Sequence, residues 1–291
     1  MTHFPTQPSP PPLSTWLRAA GLKAPDQLFS APLSGPVKNE KTPAPPMRPV
    51  LPLQPASPDQ VQQSTPAQQP ASTSLDLFQN VKPLIGPGTR VLHIGDSHTV
   101  GIYGREMDKL MRSTGAQVAT YGSAGSSPTW WLQGTTTRSG FYGRGEDGKV
   151  DSPADWKTPR QTPKLPDLLK KHRPSVIVIS LGANLINVKD GASIEKQVKD
   201  LAEVAKASGA KILWVGPPDG RESNKPTAKQ SALYAHLQKV AGQYGTFIDS
   251  RPVTEYPAKG GDGVHYWGKE GSKTATNWAN HVFEQIQASQ P

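Results

Sequence analysis

The run SVIVISLGAN, residues 175–184, decides how the rest of the chain is read. From 175 to 181 it is apolar and β-branched, without the polar alternation of a half-solvated strand. That pattern predicts a central strand covered on both faces. The run then breaks into Gly182-Ala183-Asn184. Shorter apolar runs of the same kind lie at Val91 to Ile94, at 116–121 (AQVATY), at 211–215 (KILWV) and at 246–248 (TFI). Between them the period changes from strand to helix. In 192–208, Ile194, Val198, Leu201 and Ala205 recur at three- and four-residue steps and stop before Gly209. Leu233, Leu237 and Val240 repeat the pattern, as do Trp278, Val282 and Ile286 in the last helix. Strands alternating with helices through short links predict a parallel sheet with helices on both sides. The interval 126–165 does not fit: it is rich in Gly, Thr and charge, and is expected to be a long inserted loop too polar for a core element.

Of the 31 prolines, 17 fall in residues 1–75, a stretch with few large apolar side chains. Such a segment cannot bury enough surface to offset its chain entropy, so 1–75 is expected to be a disordered, solvated arm and 76–291 the folded catalytic domain. Within the arm, LSTWLRAAGL (13–22) can form a short helix capped by Ser14, either a docking peptide for a partner or a segment that folds back on its own domain. The formal charge is +9; the arm contributes five basic and three acidic residues, leaving +7 downstream. This favours polyanionic surroundings, although solubility alone accounts for it equally well. No Lys/Arg block is interleaved with aromatics, so no nucleic acid is expected as a partner. The absence of cysteine excludes disulfides and thiolate metal sites. No window reads as a transmembrane segment, and MTHFPTQPSPPP lacks the basic and apolar regions of a secretory signal.

In an open parallel sheet, sites lie beyond the carboxyl ends of the strands. Here those ends collect Gly95-Asp96-Ser97, Gly122-Ser123-Ala124-Gly125, Gly182-Ala183-Asn184 and, after the last strand, Asp262-Gly263-Val264-His265. Ser97 needs a base to act as a nucleophile, and the imidazole of His265 suits that role. Asp262, three residues earlier, can hold the ring in the correct tautomer. The Ser97 amide, the Gly125 amide and the Asn184 side chain can form an oxyanion hole, with Gly122 as the second candidate for the glycine.

GDS after the first strand, a glycine after the second, GAN after the third and DGVH near the C-terminus resemble, in order, the four blocks of the SGNH (GDSL-type) serine hydrolase family. The resemblance covers residues 88–291. It implies a flavodoxin-like three-layer α/β/α sandwich and an esterase or acyl-transfer activity that uses no metal and no cofactor. This sequence departs from the pattern at His98, where the family carries leucine, at Leu185, where it carries an acid, and in the long interval from Gly125 to Asn184.

Other assignments are available for several of these residues. Ser97 could cap a helix starting near Thr99, Asn184 could be a strand-end turn residue, and Asp96 is expected to order its turn through backbone amides. His98 either lines the pocket or packs under the first helical turn. Trp130, Trp131, Tyr266 and Trp267 lie close in sequence to the second and fourth blocks and could border a cleft for sugar rings. The function expected is hydrolysis of acyl esters, O-acetyl above all, on a carbohydrate or cell-envelope glycan such as peptidoglycan, which favours an extracytoplasmic or envelope location. An acyltransferase, a lipid esterase and an inactive glycan-binding protein are the alternatives.

Overall fold

The computed structural model describes residues 83–289; the expected arm over 1–75, with its helix at 13–22, lies outside the described residues. Nine strands follow in chain order: β1 (Arg90–Gly95), β2 (Gln117–Ser123), β3 (Thr136–Thr137), β4 (Phe141–Arg144), β5 (Val150–Asp151), β6 (Arg160–Gln161), β7 (Val176–Ser180), β8 (Lys211–Val215) and β9 (Thr246–Ile248). Seven form one sheet in the order β5-β4-β2-β1-β7-β8-β9, and β3 pairs with β6 in a small second sheet. Strands β2, β1, β7, β8 and β9 are parallel, while β4 and β5 extend the β2 edge antiparallel. The parallel part has the doubly wound order 2-1-3-4-5, which reverses direction beside β1 and opens a crevice at its carboxyl end.

The helices are α1 (Ser97–Val100), α2 (Ile102–Ser113), α3 (Pro128–Gln133), α4 (Leu165–His172), α5 (Gly191–Lys206), α6 (Thr227–Ala241) and α7 (Gly268–Ala288). Because side chains alternate along a strand, β7 feeds both faces of the sheet. Val176 and Val178 join Met107 and Met111 of α2 and Trp278 and Val282 of α7 on one side. Ile177 and Ile179 join Leu168 of α4, Val198 and Leu201 of α5 and Leu237 of α6 on the other. All five residues of β7 are buried, and a fully buried aliphatic side chain contributes about 1.5–3 kcal/mol. The result is the expected α/β/α sandwich.

The interval 126–165 corrects the expectation of a loop. It contains α3, four short strands and the start of α4, and it supplies buried Trp131, Phe141 and Tyr142. Its charge is accommodated by a partner remote in sequence. Asp108 of α2 is fully buried and accepts hydrogen bonds from Arg144 of β4 at 2.8 Å, Arg112 at 3.0 Å and Thr120 of β2 at 2.8 Å. A carboxylate in that position must be paired, and the arginines complete it. Thus the polar end of β4 is the anchor that fastens it to the sheet.

Candidate active site

Strand β1 ends at Gly95, and the chain turns at once into α1. Asp96 is the N-cap of that helix: its carboxylate accepts the His98 amide at 3.0 Å. Ser97 is therefore the first helical residue rather than the cap, and its hydroxyl is free for another partner. Being at the helix start, the Ser97 N–H also lacks an intrahelical acceptor. The Ser97 hydroxyl lies 3.0 Å from His265 Nε2, and His265 Nδ1 lies 2.7 Å from Asp262 Oδ2.

The proton positions follow from the donor inventory. An ionised carboxylate only accepts, so Nδ1 carries the ring proton, Nε2 is an acceptor in the neutral ring, and the Ser97 hydroxyl donates to it. Burial pushes the Asp262 carboxyl up. The hydrogen bond and charge of the His265 ring, with the His265 and Val264 amides, outweigh that effect and hold it well below the usual carboxylate range. Those two amides reach Asp262 Oδ1 at 2.7 and 2.9 Å.

Sequence reasoning missed the groups that fix this loop. The Tyr256 hydroxyl accepts the Gly263 amide at 3.1 Å and donates to the His265 carbonyl at 3.0 Å. The Asn224 side chain donates to the Asp262 carbonyl at 3.2 Å, and the Arg221 amide to the Gly263 carbonyl at 2.9 Å. No local motif marks Tyr256, Asn224 or Arg221, because their partners are tens of residues away or on an irregular turn.

Gly125 occupies a tight turn after β2 with φ +82°, a left-handed conformation that glycine adopts without strain, and it is exposed. Among the described residues its amide has no protein acceptor. The second candidate, Gly122, serves the sheet instead. It pairs within β2 against Gly95, and a Cβ there would lie 2.7 Å from the Val100 amide nitrogen. Asn184 sits in a single 3₁₀ turn, Ala183–Leu185, directly after β7. Its Nδ2 donates to the Ser126 carbonyl at 3.0 Å, which uses one of its two protons and ties it to the Gly125 turn. The second proton remains for a ligand.

Two of the four aromatic expectations are corrected. Trp131 is completely buried and donates through Nε1 to Ser126 Oγ at 3.1 Å, so it is a pillar under the Gly125 turn. Tyr266 is buried against Tyr256 and Trp278, with its hydroxyl shared between the Asp219 and Thr254 carbonyls. In both cases the polar handle of the ring found an internal partner and drew the face into the core. Trp267, two residues after His265, is 47% exposed. Trp130 is partly exposed, and its ring edge lies 3.7 Å from where a Gly125 Cβ would stand.

His98 is buried beside His265, its ring 5.5 Å from that of His265 and edge-on to Trp278 at 5.7 Å. Burial lowers its pKa well below the ordinary value, and the charges of Lys225 and His265 act in the same direction. Lys225 is 5% exposed; burial lowers its pKa, opposed by Asp96, Asp219 and Asp262. Asp96 itself is pushed by burial from 3.8 up to about 6, against the His98 amide and the charges of Lys225 and His265. His93 points elsewhere, to Ser180 Oγ at 3.0 Å. Among the described residues no group of three His, Cys, Asp or Glu side chains is placed to hold a metal ion, and no helix is long and apolar enough to cross a membrane.

No family model matches the chain, and no curated protein matches it. Solved structures do. An acetylxylan esterase from Geobacillus stearothermophilus, Axe2, is similar at 18% identity over 68% of this chain and 95% of its own, with a TM-score of 0.46. LAE5, an alpha/beta hydrolase enzyme from the metagenome of Lake Arreo, is similar at 11% identity over 70% of this chain and 99% of its own, TM-score 0.46. A DUF4886 family protein from Bacteroides uniformis is similar at 14% identity over 69% and 86%, TM-score 0.46. At these values the activity has to be argued from the side chains themselves.

Proposed function

We propose that the chain is a serine ester hydrolase of the SGNH type that removes acyl groups, above all O-acetyl, from a carbohydrate or cell-envelope glycan such as peptidoglycan. The observation that carries the proposal is the continuous path from Ser97 Oγ through both ring nitrogens of His265 to Asp262. The Ser97 oxygen attacks the ester carbonyl as its proton passes to His265 Nε2, and Asp262 stabilises the resulting imidazolium. The oxyanion that forms is met by the Ser97 and Gly125 amides and the second Nδ2 proton of Asn184. Collapse expels the sugar hydroxyl, which takes the proton from His265, and leaves an acyl-Ser97. Water, deprotonated by His265, then adds to that ester and releases the carboxylic acid, returning the proton to Ser97. The exposed ring of Trp267 and the partly exposed ring of Trp130 favour a substrate with sugar faces.

The test is turnover of p-nitrophenyl acetate, and release of acetate from O-acetylated glycans, by the purified chain and by Ser97→Ala. The substitution is expected to lower kcat by roughly 10³-fold or more. Wild-type turnover by Ser97→Ala would refute the assignment. Transfer of the acetyl group to an added glycan hydroxyl in place of water would instead identify an acyltransferase using the same residues.

A further inference from the structure

Away from Ser97, an open groove of about 370 Å³ lies at the sheet edge that β4 and β5 add, with β6 and α4 as its other walls. That volume falls in the range of small-ligand sites. The half-buried Tyr121 and the largely buried Phe141 line it, with Asp151, Arg160, Gln161 and Lys171 around them. Gly143 leaves room beside both rings, since a Cβ at that position would lie 3.1 Å from the Phe141 ring and 3.2 Å from that of Tyr121.

The groove is held rigid from behind. The Tyr121 hydroxyl lies 3.1 Å from His172 Nε2, and His172 Nδ1 lies 3.0 Å from Glu146, which Arg90 also contacts at 3.4 Å. It is also fastened to the candidate active site. Ser123 Oγ and Thr162 Oγ1 are 2.7 Å apart, and the Thr137 hydroxyl donates to the Ala124 carbonyl at 2.8 Å. Both bonds join the inserted strands to the turn that carries Gly125. Tyr121 and Gly125 are four residues apart, so their backbones lie within about 14 Å.

We propose that this groove binds the backbone of a hydroxyl-rich glycan chain and so presents an acyl-bearing sugar to Ser97; the choice of ligand class rests on the esterase reading above. A sugar hydroxyl both donates and accepts, and the groove offers both: carboxylate and amide oxygens to accept, guanidinium, ammonium and amide protons to donate. A site built for a polyanion would be lined by one sign of charge, whereas here both signs alternate around two aromatic rings. Rings against sugar faces and paired polar groups against hydroxyls are complementary to a neutral, polyhydroxylated chain.

The experiment uses the whole chain with chitohexaose and xylohexaose, which carry no O-acetyl ester, in titration calorimetry. Steady-state kinetics on O-acetylated peptidoglycan and O-acetylated xylan, and on p-nitrophenyl acetate, run in parallel. The variants are Arg160→Ala/Lys171→Ala and Gln161→Ala, all on the protein surface. Each is expected to weaken hexasaccharide binding and raise KM for the polymer by about fivefold or more, with p-nitrophenyl acetate turnover kept within about twofold. The small ester also reports that the variants are folded. The proposal is overturned if neither hexasaccharide binds, if binding and polymer KM survive both variants, or if turnover of polymer and small ester falls equally. Failure of the wild-type chain to cleave any ester would refute the esterase reading alone, because the calorimetry has no ester in it.

Discussion

Replacing Asp96 by asparagine should make the protein more stable at neutral pH, by an amount that the structure bounds. Asp96 is 2% exposed, and burial raises its carboxyl from 3.8 to about 6 despite the His98 amide, Lys225 and His265. A group that holds its proton more tightly when folded contributes stability that is fully present below its unfolded value. That contribution is lost as pH rises from 3.8 to about 6. A shift of roughly two pH units at about 1.36 kcal/mol each gives about 3 kcal/mol lost by neutrality. Asp96→Asn keeps an oxygen for the cap and removes the charge, and asparagine caps helices as well as aspartate. It also withdraws one of the acids opposing burial of Lys225, whose Nζ has no hydrogen-bond partner among the described residues, so about 3 kcal/mol is an upper bound. The assay is urea unfolding of both proteins at pH steps from about 3.5 to 7.5, followed by the fluorescence of the buried tryptophans and extrapolated to water. Taking the difference between the two proteins cancels the titrating groups that are not coupled to Asp96. It should rise in favour of the variant across the window from 3.8 to about 6 and then level off. A difference that stays flat with pH, or one that turns toward the wild type as pH rises, would refute the argument.

Two further outcomes are expected. Asn184→Ala should lower kcat on p-nitrophenyl acetate by about 10²–10³-fold with little change in KM, because an oxyanion donor acts only once charge develops; an equal effect on KM alone would assign Asn184 to substrate binding. Asp108→Ala leaves the Arg112 and Arg144 side chains, 18% and 34% exposed, without their carboxylate. It should destabilise the chain by about 3 kcal/mol, the low end for a broken buried pair because both cations retain some solvent. The measurement is the fall in the urea midpoint, together with earlier proteolysis within 136–161.

What could be read from the sequence divides along a physical line. Strands β1, β7 and β8 are covered on both faces, so their own residues carry the signal, and α5 and α7 carry theirs in the spacing of apolar side chains. β4 could not be read this way, because its four residues FYGR include only two large apolar positions and its anchor is Asp108, 36 residues away in α2. The aromatics failed for a related reason: nearness in sequence to a strand end says where a ring begins but not where it points. Trp131 and Tyr266 turned inward because Ser126 Oγ and two backbone carbonyls accept their protons, and none of those acceptors announces itself in the sequence. Tyr256, Asn224 and Arg221 were invisible on the same account.

The candidate site also depends on remote contacts, since Ser97 and His265 are 168 residues apart, yet the sequence alone suggests that Ser97, His265 and Asp262 meet, as they do in the fold. The difference is that chemistry restricts the partner where packing does not. A serine without a base is inert at neutral pH, an imidazole is the side chain suited to that role, and only one of the seven histidines follows an acid by three residues just before the last helix. A buried indole, by contrast, is satisfied by any hydroxyl or carbonyl within reach. The same logic explains why Asp96 can be assigned to its turn from the sequence, while His98 and Lys225 cannot be placed. A short side chain at a helix start has one local donor set to satisfy, but a long or ring-bearing one is placed by whatever the fold brings beside it.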